Sequence, residues 1–139
     1  MDFVRFNNLN DDAATASVVP VDIGFGLNPM IVSFTTTQPN QRIEMRGTAS
    51  GVNDAGGTQG FAISFAVDGL DIFASASTGP NGGTAATAAL LRTIDIPIPG
   101  PHTVSLRWKT YGAGTARIRA ATVPTFESAS LAVWGYTSP

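Results

Sequence analysis

The strongest constraint in this chain is an apolar–polar alternation with a period of two, repeated between closely spaced turn residues. Phe61, Ile63, Phe65 and Val67 alternate with Ala62, Ser64, Ala66 and Asp68. His102, Val104, Leu106 and Trp108 alternate with Thr103, Ser105, Arg107 and Lys109. Ile43 and Met45 stand between Arg42, Glu44, Arg46 and Thr48; Ala116, Ile118 and Ala120 alternate with Arg117 and Arg119. Leu131 and Val133 alternate with Ser130, Ala132 and Trp134, and Val19, Val21, Ile23 and Phe25 form an earlier set. Successive side chains of a strand point to opposite faces, so each run turns one face to a core.

Turn residues divide the runs at short intervals: LNP at 27–29, QPN at 38–40, NDAGG at 53–57, GPNGG at 79–83, PIPGP at 97–101 and YGAG at 111–114. Asp68-Gly69 predicts a tight type I′ hairpin, because both central positions of that turn need positive φ. The segment 84–93, TAATAALLRT, carries the strongest helical propensity. The alternating Thr-Ile-Asp-Ile that closes it continues instead as a strand. About eight to ten strands in one domain predict an all-β antiparallel β-sandwich of the jelly-roll type. A chain of 139 residues is long enough for a real core. Residues 1–26 read as an N-terminal arm with a docking role, and 27–139 as the sandwich. The arm's apolar Phe3, Val4 and Phe6 precede a polar stretch at 7–17.

Charge and composition narrow the function. The net charge of −2 argues against nucleic acid, which needs a basic face. No apolar run approaches the ~20 residues of a spanning helix, so no membrane partner is expected. The opening MDFVRFNNLN lacks the basic-then-apolar pattern of a secretory signal. Only 13% of residues are charged, against about 25% in an ordinary soluble domain. Such a neutral surface suits burial against partners.

Catalytic constellations are missing. With no cysteine and one histidine, a nucleophilic triad would have to use His102. No G-x-S-x-G is present, and His102 follows a Pro-Gly-Pro turn at the start of an alternating run, which predicts a strand-start residue at the sandwich rim. The acidic pairs Asp11-Asp12 and Asp68 with Asp71 offer too few oxygens at the wrong spacing for calcium. No metal and no cofactor are expected. The Gly-rich stretches match no phosphate loop. Glu44 and Glu127 are the only glutamates; Glu44 lies between two arginines, an environment for a charged carboxylate rather than a proton donor. The chain is therefore expected not to be an enzyme.

What remains is contact chemistry. The non-core face of 61–68 is Ala62, Ser64 and Ala66, small and neutral where an open face would carry larger polar groups; another subunit or another element of the same chain would cover it. Arg107 and Lys109 sit on the polar face of their run. Trp134 falls opposite Leu131 and Val133, with Tyr136 beside it, and Arg, Trp and Tyr are the residues that dominate interfaces. With Phe3, Val4 and Phe6, these are the candidate partner and subunit contacts.

The order of motifs is itself informative. LNPMIVSFTTTQPNQRIEMRGTASG, then FAISFAVDG, then PGPHTVSLRW, then ATVPTFESASLAVWGY resembles a small jelly roll of tailed-phage virion proteins, over roughly residues 27–136. The resemblance implies a homotrimer, related in shape to complement-type and tumour-necrosis-factor-like jelly rolls, on a virion surface. It implies no catalytic residues. The chain lacks the collagen-like or coiled-coil stem of the fibre members. That favours a decoration, or cement, protein docked on the major capsid protein or another virion protein. The alternative is a tail-fibre or tail-tip domain that binds a receptor or carbohydrate through exposed aromatics such as Trp108, Tyr111, Trp134 and Tyr136.

Overall fold

The computed structural model describes residues 3–9, 12–24, 29–54, 60–79, 85–111, 113–119 and 128–137. Phe25, Asp11, Ala120, Glu127 and the turn positions 27–28, 55–57, 80–83 and 112 lie outside the described residues. The described chain forms strands β1 (Phe3–Asn8), β2 (Ala13–Thr15), β3 (Val21–Asp22), β4 (Ile31–Thr36), β5 (Gln41–Asn53) and β6 (Gly60–Val67). It continues with β7 (Leu70–Ser77), β8 (Ala86–Ile96), β9 (Gly100–Tyr111), β10 (Ala116–Ile118) and β11 (Ser128–Tyr136). All pairings are antiparallel. The protein is an all-β antiparallel sandwich of the jelly-roll type, as the alternation predicts. The strands number eleven among the described residues because β2, β3 and β10 are only two or three residues long, too short to show a period.

Register fixes the two layers. β5 pairs with β8 and with β11 over the same residues, so these lie on opposite sides of it, and β1 extends the sheet beyond β11. β9 pairs with β6 on one side and with β4 and β3, end to end, on the other; β7 lies beyond β6. The sheets β1-β11-β5-β8 and β4-β9-β6-β7 face one another, with contacts from β1 to β4, β11 to β9, β5 to β6 and β8 to β7. The short β10 continues the pairing of β5 at Val52 and Asn53 and carries β2.

The alternating residues meet between these layers. Ile43, Met45, Phe61, Ile63, Phe65, Val104, Leu106, Leu131 and Val133 have no exposed surface, and Trp108 is 1% exposed. Trp108 meets Phe61 edge-on at 5.8 Å and 78°, a geometry worth about 0.5–1.5 kcal/mol beyond burial. The layers approach most closely at Gly47, where a Cβ would stand 2.6 Å from Leu106 Cδ1 and 2.9 Å from Phe65 Cε1.

Over its described residues the segment 84–93 is strand, as its closing alternation predicts: 86–96 pairs with Gln41–Gly51 of β5 over its whole length, and long-range pairing overrides the propensity of Ala and Leu. One expectation is corrected: residues 1–26 do not form a separate arm over their described part. β1 is paired along all six residues with β11, and β2 and β3 belong to the two sheets. The reason is packing. Phe3 turns inward, stacks on Phe34 of the facing sheet at 5.1 Å and 24°, and lies directly on Gly135, where any Cβ would collide with its ring. The Asn7 side-chain amide also donates to the Ile31 carbonyl at 3.2 Å, tying the two edges together.

Gly47→Ala is expected to destabilise the fold by about 1–3 kcal/mol through overpacking, read as a lower urea midpoint at unchanged slope.

Candidate functional site

The sandwich presents two outer faces, and the predicted contact residues divide between them. On the β1-β11-β5-β8 sheet the outward positions form cross-strand rows. Phe6, Ala132, Arg46 and Leu91 make one row; Val4, Trp134, Glu44 and Thr93 the next; Tyr136, Arg42 and Asp95 the third. Phe6 is 73% exposed, Leu91 55%, and Val4 and Tyr136 37% each. The structure thus brings Val4, Phe6, Trp134 and Tyr136 together on one face. Phe3 is the exception and serves the core. Leu91 was missed, because it follows Leu90 in a segment whose Ala- and Leu-rich pattern does not alternate; its outward position appears only in the register with Arg46.

Many polar groups of this face find partners within the chain. Arg42 pairs with Asp95 at 2.9 Å and Arg46 with Glu44 at 3.3 Å. The Tyr136 hydroxyl donates to the same Glu44 oxygen at 3.3 Å. Hydroxyl pairs join Thr48 to Ser130 at 2.7 Å and Ser50 to Thr87 at 2.6 Å. The Arg46 guanidinium lies over the Trp134 ring, 4.7 Å from its centroid, a cation–π contact. Surface ion pairs of this kind add little stability. Their consequence is a face of zero net charge with apolar side chains standing proud of it.

The opposite face answers the question raised by Ala62, Ser64 and Ala66. All three are buried by their own chain. Arg107, which faces Ser64 across β9 and β6, donates to Asp22 of β3 at 2.9 Å and reaches the Gly69 carbonyl of the β6–β7 turn at 3.4 Å. Its side chain passes along this face and needs small neighbours beneath it. Arg107 is thereby committed inside the chain. Lys109, opposite Ala62, lines a groove of about 300 Å³ with Pro20, Ser64, Asp71, Ala74 and Ser75. A second cleft, of about 580 Å³, opens between β2–β10 and β3–β9, where Asp12, Asp22, Arg117 and Arg119 surround the edge of Trp108. Arg117 is tied there to Asp54 at 3.1 Å.

His102 sits at the rim, as its place in the sequence predicts. Its Nδ1 is 2.7 Å from Asp68 Oδ2 and its Nε2 is 2.8 Å from the Ile98 carbonyl. Asp68 also accepts the Thr103 N–H at 2.8 Å. Asp68 and Gly69 have φ of 51° and 82°, the type I′ hairpin expected. Both ring nitrogens face acceptors, so the imidazolium, with two N–H donors, fits the site best. Burial disfavours that charge, but the hydrogen bonds to Asp68 and Ile98 and the attraction of Asp68 outweigh it and raise the pKa above 6.5. Burial likewise opposes ionisation of Asp68, yet the His102 and Thr103 donors hold its pKa below 3.8. His102 joins two turns to β9; no nucleophile stands beside it among its hydrogen-bond partners. No cluster of three metal-ligating side chains occurs among the described residues, and no described helix is long and apolar enough to cross a membrane.

No family profile matches the chain, and no curated protein matches it in sequence. Among solved structures it is similar to murine APRIL, at 10% identity over 94% of this chain and 98% of that one, with a TM-score of 0.47. It is similar to the VP2 subviral particle of infectious bursal disease virus, at 12% identity over 95% of this chain and a TM-score of 0.47, spanning 37% of that chain. The CBM36-1 domain of a multidomain xylanase from the hindgut metagenome of Trinervitermes trinervoides matches at 13% identity over 95% of this chain and all of that domain, with a TM-score of 0.40.

The His102–Asp68 pair has a defined pH window. A raised histidine pKa contributes stability that is complete below 6.5 and lost as pH rises through the folded value. A lowered aspartate pKa contributes stability present above 3.8 and lost as pH falls. The thermal midpoint is therefore expected to fall on both sides of pH 3.8–6.5, and His102→Ala to flatten the alkaline limb. The chain's sole histidine makes its ring proton resonances a direct check; a titration midpoint below 6.5 contradicts the assignment.

Proposed function

We propose that this chain is a non-enzymatic structural protein of a phage virion exterior, most specifically a trimeric decoration protein that stabilises the major capsid lattice. The observation that carries this reading is the outer face of β1-β11-β5-β8. Its four charges pair as Arg42–Asp95 and Arg46–Glu44, and the hydroxyls of Thr48, Ser50, Thr87, Ser130 and Tyr136 have partners within the chain, so burying it strands few polar groups. Exposed Phe6, Leu91, Val4 and Tyr136 supply the apolar area that drives association. The ordered motif set of the sequence supports the virion setting, and the jelly-roll fold agrees with it. The docking role of the N-terminal segment passes in this reading from a free arm to the outward side of an edge strand, through Val4 and Phe6. Deleting residues 2–12 would remove that strand and expose Phe34, so point substitutions are the cleaner probe.

The alternative, a carbohydrate-binding tail domain, gains less from the same face. The Trp134 ring is already covered by Arg46, and Trp108 is buried, so neither offers a free stacking platform.

Light scattering of the purified chain is expected to give about 43 kDa, three times 14.4 kDa. The double substitution Phe6→Asp, Leu91→Asp is expected to return it to 14.4 kDa with an unchanged circular dichroism spectrum. Electron cryomicroscopy of particles carrying the chain is expected to place it at local three-fold positions of the capsid. A wild-type monomer at high concentration that also fails to occupy capsids would overturn the reading; occupancy of the tail alone would shift it to the alternative.

A further inference from the structure

The groove on the opposite face carries a feature that the fold itself does not use. Ser64 is 6% exposed, and its Oγ has no hydrogen-bond partner in the chain. A buried unpaired hydroxyl costs about 1–3 kcal/mol, and buried polar groups are paired in the great majority of cases. Alanine at this position would keep the small-residue surface that Arg107 requires, so packing does not account for a serine. Ser64 faces the groove of about 300 Å³ formed by Pro20, Ala62, Asp71, Ala74, Ser75 and Lys109. Ser75 stands opposite Ser64 on β7, and Lys109 stands opposite Ala62 on β9. The Lys109 ammonium forms no ion pair with any described residue.

We infer that this groove binds a small polyhydroxy carboxylate, a sugar acid in size and chemistry. Lys109 supplies the charge-assisted bond to the carboxylate. The Ser64 hydroxyl, held by no bond in its present rotamer, turns about χ1 to donate to the same group. A carboxylate has about four acceptor sites, so Asp71 accepts from a ligand hydroxyl whatever else it binds, and Ser75 gives or accepts a further bond. The methyl and ring carbons of Ala62, Ala74 and Pro20 meet the apolar face of the sugar. The asymmetry of the lining, one cation and one anion with two hydroxyls between, selects against a plain neutral sugar and against a simple inorganic anion. The site lies on the sheet face opposite the assembly surface, and the proposal stands or falls independently of the virion reading.

The test is an NMR titration of the intact chain with glucuronate, glucose, acetate and a glutamate-containing tripeptide, at low ionic strength. Glucuronate is expected to shift the amides of Ser64, Ser75 and Lys109, acetate to do so more weakly, and glucose not at all. Lys109→Met is expected to weaken glucuronate binding by about tenfold or more. Ser64→Ala is expected to weaken it several-fold while raising the thermal midpoint, because the orphan hydroxyl is gone. That opposite movement of stability and affinity distinguishes a ligand group from a merely structural serine. Equal shifts with glucose and glucuronate, no shift with any probe, or tripeptide binding without glucuronate binding would each overturn the proposal. So would glucuronate binding unaltered in both variants.

Discussion

Of the strands bonded on both edges, β5 and β9 are the longest and organise the two sheets. Each is flanked along most of its length, β5 by β8 and β11, β9 by β6 and by β4 and β3. Once their register is set, every outward side chain is assigned, because a slip of one residue would exchange core and surface on all neighbours. The registry is locked where the layers touch. Gly47 lets Leu106 and Phe65 reach the β5 backbone, and any larger residue at that row would force those side chains to shift. The same logic holds at the edge, where Gly135 receives the Phe3 ring. The rows that bring Phe6, Trp134 and Leu91 onto one face follow from these close contacts, not from any local preference of those residues.

The two outer faces then solve the same problem in opposite ways. A sheet face turned away from the core must either stay wet or be covered. On β1-β11-β5-β8 the charges pair as Arg42–Asp95 across strands and Arg46–Glu44 along β5, and hydroxyl pairs bridge neighbouring strands, which leaves a surface of zero net charge. On β4-β9-β6-β7 the chain covers itself, by running Arg107 from Asp22 to the Gly69 carbonyl over small residues. Arginine suits this task because its stem packs on apolar surface while its planar head makes bonds in two directions. The end of the same sheet is secured by His102, whose two nitrogens hold the turns at Asp68 and Ile98 to β9. A single protonation state thus ties the Asp68 turn to the turn at Ile98 and the start of β9, some thirty residues later.

Much of this was legible in the sequence, for a physical reason that also explains the failures. Alternation reports which face a residue takes, and so the core of Ile43, Met45, Phe61, Phe65, Leu106, Trp108 and Leu131, the outward Trp134 and the Asp68-Gly69 hairpin could all be read directly. Alternation fails where the inward face of a strand is mixed, as at Phe3, Arg5 and Asn7 of β1, while its outward face carries apolar side chains. In β1, Phe3 points inward and Val4 and Phe6 outward, so the segment looked like a sticky arm rather than a strand. It also fails where local propensity and long-range pairing disagree, as in 86–96, whose strand state depends on β5 some forty residues earlier. The coverage of Ala62, Ser64 and Ala66 was visible as an anomaly, but its cause was not, because Asp22, Gly69 and Arg107 meet only in three dimensions.

The contrast between the faces also bears on what each can bind. A large protein interface gains from apolar area and loses from every polar group left unpaired. The proposed docking face with Phe6 and Leu91 offers apolar area, and its guanidinium groups and most of its hydroxyls already have partners within the chain. A small-ligand site needs the reverse: a concavity with a few polar groups held unsatisfied until the ligand arrives. In the groove proposed above, Ser64 and Lys109 would be such groups, beside the methyls of Ala62 and Ala74. The two proposed tasks would thus lie on faces separated by the thickness of the core, and substitutions in the groove would leave the paired charges of the β1-β11-β5-β8 face in place.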